Sequence, residues 1–494
     1  MLPLYYSDMK PLSIKNLQTV AFSQIPSTED YSEFSALVHE LMAIESCHCV
    51  NYFAYKKNDA LRLIMCIAND DSASIEVFGF SLNDDKLESL QIEACNRFER
   101  EIAENFDLSL LNHSWPKPLR TTSDDYPFYR DEDEEIHEVG VGPIHAGIIE
   151  PGHFRFTCKG EKILNLEIML GYQHRGVEKL MVEKLMLSQK AMLAESVAAD
   201  SAVSNSVAFA GVWESLCGFT ARKELLYART LACELERIAI HTGDLSAICG
   251  DVAYQLGNAV YGRLRTPVIN FIQKWCGNRL GKTAVRPFET PYPFTLELVT
   301  DLRVILAAFE KDFVEMSQKI RRFPSVLSRL ERTGIVTTEQ AEAIGAVGMA
   351  GRASGIYRDI RRSHPYLLYQ AGNTVVKHHG DVYARTQIRM EEVVASIGII
   401  RSLLDSWPYN EYSHAKENYS PAADSFALGL VEGWRGEACH VAITDEAGRL
   451  ALYKYKDPSF HNWTALELAV RNNEISDFPI CNKSFNLSYC GHDL

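Results

Sequence analysis

The sequence predicts an α+β protein: a small N-terminal domain of the α/β-sandwich kind, then a mainly α-helical bundle with a small β-sheet. Three observations predict it. Short apolar runs between residues 47 and 69 have the length of hairpin strands; an acidic, proline-bearing stretch interrupts the pattern near 121–139; and long helical periodicities follow residue 174. A chain of 494 residues is also too long for one small core.

In the first part, residues 12–120, "CVNYFAYKK" and "LRLIMCIAN" read as a strand pair. "LESLQIEACNRFEREIAENFDL" reads as an amphipathic helix, with Ile92, Cys95, Phe98, Ile102 and Phe106 at helical spacing. The run "TTSDDYPFYRDEDEEIHEVG" clusters acids around a proline and loses core periodicity, so 121–139 reads as a solvated linker. The remainder, 140–494, opens with strand-like "AGIIEPGHFRFTCKGEKILNLEIML". It continues in long helical patterns: "HRGVEKLMVEKLMLSQKAMLAESVAAD", "ARKELLYARTLACELERIAIHTGDLSAI" and "TDLRVILAAFEKDFVEMSQKIRRF". The apolar, aromatic ending "DFPICNKSFNLSYCGHDL" predicts a buried tail, because frayed tails are polar.

Composition narrows the function classes. Hydrophobic residues at 46% and charged residues at 23% fit a globular protein and argue against disorder. A formal net charge of -15 repels phosphates, so no nucleic-acid partner is expected. No signal-peptide pattern and no 18-residue uncharged apolar run is present, which predicts a chain without its own membrane span. The 12 cysteines include no C-x-x-C pair, so compact metal ligation is not signalled. No G-x-G-x-x-G opens a helix after a strand, so no NAD site is read here.

Polar clusters inside apolar helices or at turns mark where an internal site would lie. "GPIHAGIIEPGHFRF" sets His145, Glu150, His153 and Arg155 around two Pro/Gly turns, and Glu150 is a proton carrier if buried. "HRGVEK" places His174, Arg175 and Glu178 within about one helical turn, with Arg175 and Glu178 spaced to pair. "ELERIAIHTGD" sets Glu236, Arg237 and His241 along a helix, where an ion-pair network is the ordinary reading. "GRASGIYRDIRRSHPY" combines Arg352, Asp359, Arg361 and Arg362 with two glycines. "EGWRGEACH" holds Arg435 in a Gly-flanked turn, either to bind an anion or diatomic ligand or to stack on Trp434.

Taken in order, "GPIHAGIIEPGHFRF", "LGYQHRGVEK", "ELERIAIHTGDLSAICGD", "GRASGIYRDIRRSHPY", "GDVYARTQIRMEE" and "EGWRGE" resemble the large subunit shared by energy-converting (group 4) nickel-iron hydrogenases and respiratory complex I, where it is the 49 kDa subunit. "NRFEREIAENFDL" with "HSWPKPLR" is similar to the complex I 30 kDa subunit, and a fusion of the two occurs in hydrogenases of the formate hydrogenlyase type. The hydrogenase pattern E-R-I-C-G-I-C-S-x-x-H-S, aligned on Glu195 and Ser206, puts Ala198 and Ser201 at the first two metal-ligand positions and Asn205 at the histidine. The pattern D-P-C-x-x-C-T-D-R, aligned on Asp493, puts Ser488 and Gly491 at the second pair, while Cys481 and Cys490 fall outside it. A nickel centre needs thiolates, so the resemblance implies a member that binds no metal and turns over no hydrogen. The complex I quinone partners align with Ile149 and Leu193, leaving only His145.

The resemblance therefore implies a retained cavity framework of Glu150, Arg435, His174, Glu178 and Arg352 as catalytic residues, with His145 and His153 toward substrate. It implies an oxidoreductase subunit with no cofactor of its own. Its partners would be an iron-sulfur small subunit with a [4Fe-4S] cluster, a ferredoxin-like subunit and antiporter-like membrane subunits. Location would be peripheral, through those partners, on the cytoplasmic side of the inner membrane. Electrons would pass to a quinone or a sulfur compound with coupled ion translocation, and NAD would belong to other subunits. The alternative is a non-catalytic structural or conformational-coupling subunit.

Overall fold

The computed structural model describes residues 9–57, 60–122, 125–130, 133–145, 149–369, 374–408 and 419–494. The expected hairpin forms: Cys47–Lys57 pairs antiparallel with Ala60–Asn69, which pairs with Ser74–Leu82. Leu12–Ile14 and the short parallel strand Ser27–Thr28 complete a five-stranded sheet. One face of it packs on the helices Tyr31–Met42 and Glu93–Phe106, through Phe34, Val38, Cys95, Phe98 and Ile102. The opposite face, with Phe53, Ile64 and Val77, packs on Phe426, Leu428 and Val441 of a second sheet. Burial on both faces explains why "LRLIMCIAN" is continuously apolar instead of alternating.

That second sheet runs Leu450–Lys456, Glu437–Thr444, Ser425–Glu432, and then Thr19–Ala21 from the N-terminal part, all antiparallel. The first 120 residues thus share a sheet as well as an interface with the rest of the chain. Most of the described residues among 121–139 are exposed, yet parts of the stretch join the fold. Tyr126 is buried, and Ile136–Val141 is an edge strand on His153–Lys159, itself paired with Lys162–Met169. Alternate residues of an edge strand can still face water, which accommodates the charge.

The bundle consists mainly of Lys223–Asp251, Gln255–Cys276, Leu296–Ile320 and Val382–Asp405, around Leu235, Leu264, Phe271, Leu302, Phe313 and Ile397. Thr295 and Asp381 cap two of these helices, accepting from Leu298 N and Ala384 N. The long helix predicted from His174 to Asp200 is instead two short ones, Val177–Glu183 and Leu187–Ala194, parted by extended backbone at Lys184 and Met186. Met181 and Ala194 both enter a core shared with Tyr453 and Phe209, while Leu185 between them is 90% exposed. The bend lets each short helix bury its own apolar face. The tail folds in as expected: Tyr489–Asp493 is helical, and Tyr489 and Leu494 are buried.

Candidate functional site

The site begins with a turn. Strand Ser425–Glu432 leads into Gly433-Trp434-Arg435-Gly436, closed by reciprocal backbone hydrogen bonds between Gly433 and Gly436 (2.8 and 3.1 Å). Gly436 has φ +136, and a Cβ there would lie 2.5 Å from the Cα of Gly348, so glycine is required. The turn fixes Arg435. Its Nη1 and Nη2 each donate to one Asp200 carboxylate oxygen at 2.7 Å, Nη1 also reaches Ser201 Oγ at 3.2 Å, and Nε donates to Asn486 O at 2.6 Å. Its Cζ stands 4.0 Å from the centre of the Trp434 ring. Burial opposes the charge, but Asp200 outweighs it and raises the guanidinium above its ordinary range. Anion pairing and aromatic stacking, alternatives from sequence, coexist here.

Arg435 borders a cavity of about 300 Å³, also lined by Glu150, Asp200, Arg279, Ser488 and Cys490. Glu150 Oε2 accepts from Cys490 N at 3.3 Å. Ser488 Oγ caps the last helix, accepting from Gly491 N at 2.9 Å. Burial first, and Glu150 second, push the Cys490 thiol up to about 12, so it is a thiol and not a thiolate at neutral pH. Of the positions implied for metal ligands, Ser488 lines this cavity and Ser201 meets it through Arg435. Ala198 is fully buried just before it, and a Cβ on Gly491 would lie 2.4 Å from Asp457 Oδ2. One protonated thiol is not the donor set of a nickel-iron centre. Cys481 lies elsewhere, its Sγ within 2.5 Å of where a Cβ on Gly334 would stand. Among the described residues no group of three His, Cys, Asp or Glu is placed to hold a metal.

The other expected site residues are not in this cavity. His174 Nδ1 bonds Asp493 O at 2.7 Å, and Arg175 reaches Ser196 O, Val197 O and Cys490 O, so this pair ties down the tail. Glu178 does not pair with Arg175. It meets Lys454 Nζ at 3.1 Å and Tyr455 N at 2.9 Å, beside a separate cavity with Arg120 and Glu101. Arg352 is buried between Glu432 (Nη1, 2.7 Å) and Glu392 (Nη2, 2.5 Å). His241 Nε2 meets the same Glu392 at 2.8 Å, and Arg237 bonds the carbonyls of Glu432 and Gly433. His153 lies 5.2 Å from the Phe128 ring and lines a third cavity with Arg155 and Arg130. His145 lies 5.5 Å from Phe154; residues 146–148 of its loop are outside the described residues. Burial lowers the pKa of both histidines. Sequence reasoning missed Asp200 and Arg279, which line the cavity, and Asn486, which Arg435 Nε connects to it.

Residues 255–427 match the family described as the respiratory-chain NADH dehydrogenase 49 kDa subunit. The chain is 27% identical to Escherichia coli hydrogenase-4 component G over 76% of its length and 64% of that protein's. It is 29% identical to the C/D component of the NADH-quinone oxidoreductase of Phocaeicola vulgatus, over 70% of this chain and 67% of the other. A solved chain from an archaeal membrane-bound sulfane sulfur reductase shares the fold, with TM-score 0.69 and 19% identity, over 74% of this chain and 100% of that one. Over residues 255–427 the chain is thus similar to the 49 kDa-subunit family, and the relatives it matches are named as components of a hydrogenase and of an NADH-quinone oxidoreductase. The chain matches about two thirds of the length of these relatives.

Proposed function

We propose that this protein is the large subunit of a membrane-associated, complex I-like oxidoreductase in which the hydrogenase metal site has become an acceptor cavity. Electrons arrive from a [4Fe-4S] cluster on a small subunit and pass to a quinone or a sulfur compound, with redox coupled to ion translocation. The observation that carries this reading is the replacement set itself: Ser201, Ser488 and one protonated thiol around Arg435, in a cavity that remains open. Arg435 and Arg279 would stabilise negative charge developing on a reduced acceptor, and Glu150 would supply protons. Among the described residues no helix is long and apolar enough to cross a membrane. Attachment to the membrane would therefore run through antiporter-like subunits, with a ferredoxin-like subunit feeding the cluster.

Metal analysis of the complex, purified by a tag on this chain, tests the reading. Iron without nickel, with an iron-sulfur small subunit in the sample, supports it; nickel at one per chain overturns it. Full activity with both Glu150→Gln and Arg435→Met would also overturn it. The saturation of Arg435 by Asp200 favours a second reading, a subunit that transmits conformational change and accepts no electrons. Reoxidation of the neighbouring cluster, followed by paramagnetic resonance with and without acceptor, separates the two.

A further inference from the structure

Glu236 is the one carboxylate of "ELERIAIHTGD" without an ion pair among the described residues: Glu234 joins the network with Arg237 and His241, and Asp244 pairs with Arg389 and Lys483. It turns to the start of the helix Ala202–Leu216, where Oε1 accepts from Val203 N at 2.7 Å and Oε2 from Ser204 N at 3.3 Å. Its residue is 6% exposed, and among the described residues it has no salt-bridge partner. The groups with charge that face it are Asp200 from the turn before that helix, Arg279 from the loop after Gln255–Cys276, and the thiol of Cys233 on its own helix. It lines a cavity of about 10 Å³, the room of a single water. Asp200, Arg279 and Leu280 line both this small cavity and the acceptor cavity.

We propose that Glu236 is a proton-exchanging carboxyl behind the acceptor cavity, passing its proton through one water to the Asp200 carboxylate. The O–H bond at Glu236 breaks as one forms on the water, which gives its own proton to Asp200. Glu236 becomes a carboxylate, Asp200 an acid, and the Asp200–Arg435 pair loosens. Burial holds the Glu236 carboxyl up to about 8, so it carries a proton at neutral pH. The proposal rests on the acceptor-cavity reading for its purpose, but the exchange is measurable without turnover.

Infrared difference spectroscopy of the purified complex tests it. Wild type should lose a protonated-carboxyl band as pH passes through about 8, and the band should shift on transfer to heavy water. Glu236→Gln keeps the shorter cap bond, its amide oxygen still accepting from Val203 N while the longer one from Ser204 N is given up, and should abolish the band. Ala239→Val, which fills the small cavity, should keep the band but lose its fast deuterium exchange. A band unchanged in Glu236→Gln, or exchange unchanged in Ala239→Val, overturns the proposal. Should the glutamine variant not fold, the valine variant decides alone. Nickel in the same sample would instead refute the acceptor reading, leaving the exchange result to stand separately.

Discussion

Replacing Arg352 by methionine should destabilise the protein far more than it alters the acceptor cavity. The Arg352 side chain is 1% exposed, and its two terminal nitrogens hold Glu432 and Glu392, each 2% exposed. Methionine fills much of the volume but leaves two buried carboxylates short of a cation. Breaking a buried ion pair costs about 3–5 kcal/mol, equivalent to a rise of about a hundred-fold to about five-thousand-fold in the unfolded fraction. The loss also has a sign in pH. Burial favours the protonated form of Glu392, yet Arg352, His241 and Arg237 hold it well below the ordinary carboxylate range. A depressed carboxyl contributes stability above the unfolded value, about 4.5, that fades as pH falls through the folded one. The gap between wild type and Arg352→Met should therefore be widest above about pH 5 and close in acid. Urea unfolding followed by circular dichroism at pH 7 and pH 3 measures both quantities. Adding Glu432→Gln to the methionine variant should recover part of the loss, since it removes one stranded charge. An unchanged midpoint, or a gap of equal size at both pH values, would refute the argument that Arg352 serves the fold through these carboxylates.

Gly348→Ala should displace the Arg435 turn, because its Cβ would stand 2.1 Å from Arg435 O at φ +62. A cost of about 1–3 kcal/mol and a changed near-ultraviolet signal from Trp434 are expected in thermal unfolding. Lys454→Met removes the cation between Glu101 (2.7 Å) and Glu178 (3.1 Å), where the N-terminal part meets the last sheet. Arg120 still pairs with Glu101, so about 2 kcal/mol should be lost in urea unfolding. Glu236→Gln should gain on wild type as pH rises. The folded acid keeps its proton to about 8 while the unfolded one releases it near 4.5, so wild type loses about 1.4 kcal/mol per pH unit across that window. Parallel thermal-midpoint profiles of the two proteins from pH 5 to pH 8 would contradict that carboxyl's assignment.

How far the sequence carries depends on whether a signal is local. The helix Glu93–Phe106 and the hairpin Cys47–Asn69 are spelled by periodicity within one window. The Arg435 turn is spelled by its two glycines, and the absence of thiol pairs by two short patterns. The clustering of charged residues along helices is equally visible, but not their assignment. Spacing makes Arg175 and Glu178 partners, whereas Arg175 turns to backbone carbonyls and Glu178 to Lys454, 276 residues away. The same holds for Arg352, whose two carboxylates lie 40 and 80 residues off. A framework read from polar motifs therefore mixes groups that face a cavity with groups that hold helices together, and only tertiary contacts sort them.

Asp200 shows why the loss of thiols and the retention of Arg435 belong together. In the resemblance, the residues around Arg435 would include thiolates, and their negative charge would offset the guanidinium. Without them a 5% exposed arginine would stand uncompensated, at a cost of several kcal/mol. Asp200 lies between Ala198 and Ser201, in the segment that would have borne the first thiol pair, and it meets Arg435 with both oxygens. Asp200 thus offsets the guanidinium from within the segment where the resemblance would place thiolates. A carboxylate is a hard donor and a proton acceptor, and is not a ligand suited to a soft metal. The arginine and its new counter-ion are thus one feature. Removing Asp200 alone should be worse for stability than removing both, the sign of a pair whose members are retained for each other.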